Sequence, residues 1–158
     1  PLMIAQTGEE PAPEGQEEAG GGIEGMHVLV AEDNELNMEI VSEILTAKGA
    51  QITQAYDGQQ ALQQFESSRP FTYDAVLMDM QMPVMDGCEA ARRIRALDRS
   101  DAALVPIIAV TANAFSEDIA ATAAAGMNAH IAKPIDFEML ERMLIEQAGL
   151  ARKGGFQR

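Results

Sequence analysis

The chain has 158 residues, with 25 acidic side chains against 11 basic ones and a net charge of −14. That length suits one ordinary domain plus a tail and falls short of two good cores, and the charge excludes the basic footprint of a nucleic-acid binder. The single cysteine, Cys88, excludes an internal disulfide and a multi-cysteine zinc site, and no apolar run nears the roughly 20 residues that a bilayer span requires. No membrane contact is therefore expected. The start lacks the basic and apolar regions of a signal peptide, so a cytoplasmic location is expected. A chain beginning at Pro1 is expected to be a piece of a longer protein.

Residues 1–25 are rich in Gly, Pro, Glu and Gln, with six acids and no Lys or Arg. Such a segment buries too little surface to offset its chain entropy. It reads as a flexible linker or an expression remnant. From His27 the pattern alternates. His27 to Glu32 reads as a buried strand. Leu36, Ile40, Val41, Ile44 and Leu45 fall at helical spacing, predicting a helix over 35–48, with Gly49 placed to end it. Residues 50–55 alternate as a strand. Asp57-Gly58 opens a second helix with Ala61, Leu62 and Phe65 inward, and Arg69-Pro70 breaks it. Tyr73 to Met78 is the third strand. Pro83 and Asp86-Gly87 mark a loop before a helix over 88–97, whose Arg92, Arg93 and Arg95 read as its wet face. Val105 to Val110 is the fourth strand, followed by an Ala-rich helix over 116–125 that Gly126 ends. Met127 to Ala132 is the fifth strand. Asp136 can cap a last helix with Phe137, Leu140 and Leu144 inward. Residues 149–158 read as a tail.

Five apolar strands alternating with five helices suit a parallel sheet covered on both faces. With right-handed crossovers this is an α/β fold, a three-layer α/β/α sandwich, over residues 26–148. Polar groups then gather at the carboxyl ends of the strands, where open α/β sheets bind ligands. Glu32-Asp33 follows the first strand, Asp79 the third, Thr111 the fourth and Lys133 the fifth. Alone, the acidic pair would read as a helix start favoured by the helix dipole. Thr111 alone could be a cap and Lys133 a surface amine. Together they form one chemistry. Three carboxylates can hold Mg²⁺, with Mn²⁺ as an alternative, since hard cations prefer oxygen ligands. Asp79 can then act as a nucleophile on phosphorus, with Lys133 and Thr111 available to the phosphoryl oxygens.

The segments Val28 to Asn34, Met78 to Gly87, Ile108 to Ala112 and Lys133-Pro134, in this order and spacing, resemble the response-regulator receiver domain of two-component signalling. The run Glu32 to Asn37 and the Met-rich stretch after Asp79 are similar to receivers of hybrid sensor histidine kinases. The resemblance implies a flavodoxin-like five-stranded sheet of order 2-1-3-4-5. It implies that Asp79 is the phosphoacceptor, with Mg²⁺ held by Glu32, Asp33, Asp79 and the backbone carbonyl of Gln81. Thr111 would bond the phosphoryl group, Lys133 would pair with it, and the Lys133-Pro134 bond would be cis. The family's switch aromatic, three residues before the lysine, is His130 here, which departs from the coupled threonine–aromatic pattern. Implied partners are a histidine kinase dimerisation domain or a histidine phosphotransfer protein, docking on the first helix at Leu36, Asn37 and Met38. The activated domain would shift the loop after Thr111 and the face of the fourth helix, fifth strand and fifth helix. Two other readings compete. One is a receiver-like module used only for docking, against which the complete acidic, Thr and Lys set speaks. The other is an aspartyl-phosphate hydrolase, which in the haloacid-dehalogenase pattern needs a second Asp where this chain has Gln81.

Overall fold

The computed structural model describes residues 22–112 and 116–153. Strands β1 (His27–Ala31), β2 (Gln51–Ala55), β3 (Ala75–Asp79), β4 (Ile107–Thr111) and β5 (Ala129–Ala132) alternate with helices α1 (Glu35–Ala47), α2 (Gly58–Ser67), α3 (Gly87–Arg95), α4 (Ser116–Ala124) and α5 (Phe137–Lys153). All strand pairs are parallel, in the order β2-β1-β3-β4-β5. The expected architecture and strand order are met.

The central strands β3 and β4 are buried along their whole length, as runs of apolar residues covered on both faces must be. Alternate residues point to opposite sides. Leu29, Ala31, Val76, Met78, Ile107 and Ala109 pack in one core with Ala61 and Phe65 of α2 and Ile94 of α3. Val28, Val30, Leu77, Ile108, Val110 and Ile131 pack in the other with Met38, Val41 and Leu45 of α1 and Leu140 and Leu144 of α5. The sheet is thus sandwiched.

Local chemistry fixes the helix starts beside the sheet's carboxyl edge. Asn34, Asp57 and Asp86 are N-caps, each accepting from the backbone N–H three residues on at 2.9, 2.8 and 2.8 Å. Asp136 accepts from the N–H groups of Glu138 and Met139 at the start of α5. Gly126, at φ +89°, turns the chain after α4 in the left-handed region that glycine adopts without strain.

Three expectations change. Packing begins before residue 26: Ile23 is fully buried in the α1/α5 core, and Gly25 N–H donates to the Gly49 carbonyl at 2.9 Å. One apolar side chain in a polar stretch carries no periodicity, so the segment's end is not legible as structure. The helix α5 continues through Lys153, past the expected tail start at 149, because Ala148 is buried under its inner face. Arg95 is not on a wet face. Its guanidinium donates to the carbonyls of Gly126 and Ala102 and to Asn128 Oδ1, tying α3 to the loops that lead into β4 and β5.

Candidate functional site

The parallel register carries the strand ends to one edge. Ala31, just before Glu32, lies beside Met78, and Asp79 beside Val110. Thr111 lies beside Ala132, and Lys133 N–H donates to the Thr111 carbonyl at 2.8 Å. Carboxylate oxygens of Glu32, Asp33 and Asp79 all come within 4.8 Å of one another. Glu32, Asp79 and Thr111 are buried, and Asp33 is exposed.

Lys133 supplies the countercharge. Its Nζ lies 3.0 Å from Asp79 Oδ2 and 3.7 Å from Glu32 Oε1. The other Asp79 oxygen accepts from Gln81 N–H at 3.1 Å, and Glu32 Oε2 accepts from Asn34 N–H at 3.1 Å. Burial pushes the Glu32 carboxyl above its ordinary value, and the nearby Asp79 charge adds to that rise against the Asn34 bond and the Lys133 charge. Burial works against the charged Lys133 amine. The hydrogen bond and charge of Asp79, with the charges of Glu32 and Asp33, outweigh it and hold the amine above its ordinary value.

One ammonium among three clustered carboxylates leaves a local excess of negative charge. The donors are all oxygen, one of them facing solvent. That set fits a hard divalent cation retaining several waters, as magnesium does. Among the described residues the cluster holds no softer nitrogen or sulfur ligand.

The remaining expected residues fall as follows. Gln81 is exposed and immediately flanks Asp79 through its N–H. His130 is half-buried on β5, in register with Ala109, on the sheet face toward α2 and α3. The expected switch loop after Thr111 runs into residues 113–115, which lie outside the described residues. The Lys133-Pro134 peptide is cis, as the resemblance implied.

Of the expected docking residues, Leu36 is 64% exposed and Asn37 is also exposed. Met38 is fully buried against the sheet and is no docking residue: it shares the inward face of α1 with Val41 and Leu45, three and seven residues on. Beside Asn37 lies a groove of about 430 Å³, walled by Ile40, Val41, Pro134, Ile135 and Phe137 and also lined by Glu32 and Lys133. The residues outside α1 were not expected there. Lys133, Pro134 and Ile135 come from the loop between β5 and α5, and Phe137 from the start of α5. Met82 and Met85 are half-buried against the α2/α3 core, and Val84 is the exposed apolar residue of that loop.

Comparison with known proteins agrees with this geometry. The response regulator receiver domain family matches residues 28–145. The chain is 38% identical over 135 residues to hybrid signal transduction histidine kinase I of Dictyostelium discoideum, covering 84% of this chain and 8% of that protein. It is 36% identical over 121 residues to the peroxide stress-activated histidine kinase mak1 of Schizosaccharomyces pombe, covering 76% and 7%. The chain therefore spans under a tenth of the length of either relative. A crystal structure of the receiver domain of a Pseudomonas aeruginosa sensor histidine kinase, with a magnesium ion in its active-site cleft, superposes with a TM-score of 0.71 at 41% identity, covering 79% of this chain and 98% of that one. The receiver domain of the Saccharomyces cerevisiae response regulator Ssk1, crystallised with the histidine phosphotransfer protein Ypd1, gives 0.70 at 26% identity, covering 79% and 90%. With the family matched along the sheet and its acidic edge assembled, this chain belongs to the response regulator receiver domain family.

Proposed function

We propose that this domain accepts a phosphoryl group on Asp79 from a phosphohistidine and thereby switches a protein-interaction surface. The observation that carries the reading is the placement of Asp79. Its carboxylate is buried, bonded to Lys133 Nζ at 3.0 Å, and clustered with Glu32 and Asp33. Glu32, Asp33, Asp79 and the Gln81 carbonyl would hold Mg²⁺. Bound there, the ion would neutralise charge on the phosphoryl oxygens.

The chain's own residues supply the rest. An Asp79 oxygen attacks phosphorus in line with the donor nitrogen. The O–P bond forms as the P–N bond breaks, and its electron pair returns to the imidazole ring, which takes up a solvent proton. Lys133 is within reach of both the Asp79 and Glu32 carboxylates and can follow the new negative charge. Thr111, at the end of the adjacent strand, offers a hydroxyl to the same group. The acyl phosphate adds charge and acceptor oxygens beside the loop after Thr111 and so can bias a two-state segment.

The donor is a histidine phosphotransfer protein or the dimerisation domain of a histidine kinase, and the parent chain is a hybrid sensor histidine kinase. Exposed Leu36, and exposed Ile40 in the wall of the groove that Lys133 also lines, support docking on α1. The test is intact mass after incubation with acetyl phosphate. One phosphoryl group should add in the presence of Mg²⁺, and none with EDTA or with Asp79→Asn. No adduct, with beryllofluoride also failing to bind, would leave a docking-only module.

A further inference from the structure

The loop between β3 and α3 carries Gln81, and its conformation is unusual. Val84 has φ +70° and is 82% exposed. A β-branched residue rarely adopts that backbone region, and so exposed a side chain gains little from burial in return. Met85 N–H donates to the Pro83 carbonyl at 2.7 Å, closing a three-residue turn around Val84. Something adjacent must hold this turn.

The contact that follows it comes from α2. Gly58 N–H donates to the Met85 carbonyl at 2.9 Å. A Cβ on Gly58 would clash with that carbonyl oxygen and sit 3.0 Å from the Asp86 carbonyl oxygen, both backbone atoms. The start of α2 is itself fixed: Asp57 accepts from Gln60 N–H, and Gln60 Oε1 accepts from Tyr56 N–H. At its other end the loop meets the reactive carboxylate, through Gln81 N–H to Asp79 Oδ1 at 3.1 Å. Gly87 N–H closes the loop on the Met80 carbonyl at 3.1 Å.

We propose that Gly58 is a positioning residue for the metal site: its N–H and its lack of a side chain seat residues 80–86 so that Gln81 is held beside Asp79. This rests on the reading that the acidic cluster takes Mg²⁺. Gly58 touches no ligand and acts through Met85.

Titration calorimetry of Mg²⁺ into the unphosphorylated chain tests it. Gly58→Ala should weaken Mg²⁺ binding about tenfold or more, the usual effect of losing an outer-shell support. Val84→Gly, added to Gly58→Ala, should recover part of the affinity by removing the strain that the seat opposes. A merely structural glycine would lower Tm and leave Kd unchanged well below it, and that result would overturn the proposal. On the unaltered chain, amide exchange followed by NMR supplies a reading that needs no variant, and it decides the matter if Gly58→Ala does not fold. Mg²⁺ should slow exchange of the Gly58 N–H, and indifference to Mg²⁺ would overturn the proposal. If the unaltered chain binds no Mg²⁺, the metal reading falls and takes this one with it.

Discussion

Lys133 shows how the strand-end carboxylates act on a single side chain. Its amine titrates above its ordinary value of 10.5 because the carboxylates outweigh its partial burial. A cation with a raised folded-state value contributes stability that is complete below the unfolded value and is lost as pH rises through the folded one. Lys133→Met should therefore lower the Tm of the metal-free protein at neutral pH. The gap from the unaltered protein should shrink above pH 10.5, and a gap that stayed constant to high pH would show that lost packing, not charge, sets it. For Glu32 a rise has the opposite consequence, because its charged form is the deprotonated one. Its raised value means that burial opposes its charge, so a cation in the cluster relieves a cost already present. These chemical residues were legible in the sequence because each polar group ends an apolar run, and a parallel sheet sends every such end to one edge. Met38 was not. Helix α1 carries apolar residues on two sides, Met38, Val41 and Leu45 inward and Leu36 and Ile40 outward, and spacing alone does not choose between two overlapping stripes.

At the scale of the element, that outward stripe puts the proposed docking to the test. Leu36→Asp with Ile40→Asp should slow transfer from a histidine phosphotransfer protein by an order of magnitude or more, since buried apolar anchors dominate interface energy. Phosphorylation by acetyl phosphate, which needs no docking, should stay unchanged, and radiolabel transfer measured beside intact mass separates the two. The helix starts are a second case. Asp86 caps α3 through Glu89 N–H at 2.8 Å, and Asp86→Ala should destabilise the domain by about 1 kcal/mol in urea denaturation. The Asp136 cap, the Asp57-Gly58 opening and the glycine stops were readable from residue type, whereas Asn34 and Asp86 were not read as caps. Arg95 was not legible, because two of its partners, Gly126 and Asn128, are distant in sequence and the third, Ala102, is a backbone carbonyl beyond the end of the helix. Nothing in a helical arginine's neighbours announces contacts that only the fold assembles.

At the scale of the whole molecule, the two sides of the sheet have separate cores. The one under α1 and α5 extends to Ile23. Ile23→Ala should cost about 2–5 kcal/mol, the range for truncating a buried aliphatic side chain, with the loss read as a lower urea midpoint. The alternation of five strands and five helices made the architecture legible, since few arrangements bury both faces of a parallel sheet. The strand boundaries shifted by one or two residues, because pairing and not composition sets where a ladder stops.

The anchoring of Ile23 also fixes a direction. It packs beside Met26, before β1 begins, while Glu32, Asp33, Asp79 and Lys133 follow the strands at their far ends. The described chain therefore enters the sheet at the pole opposite the acidic edge. With that entry pinned by Ile23, the described N-terminal residues leave the acidic edge uncovered, so the proposed phosphoryl donor would not have to displace them.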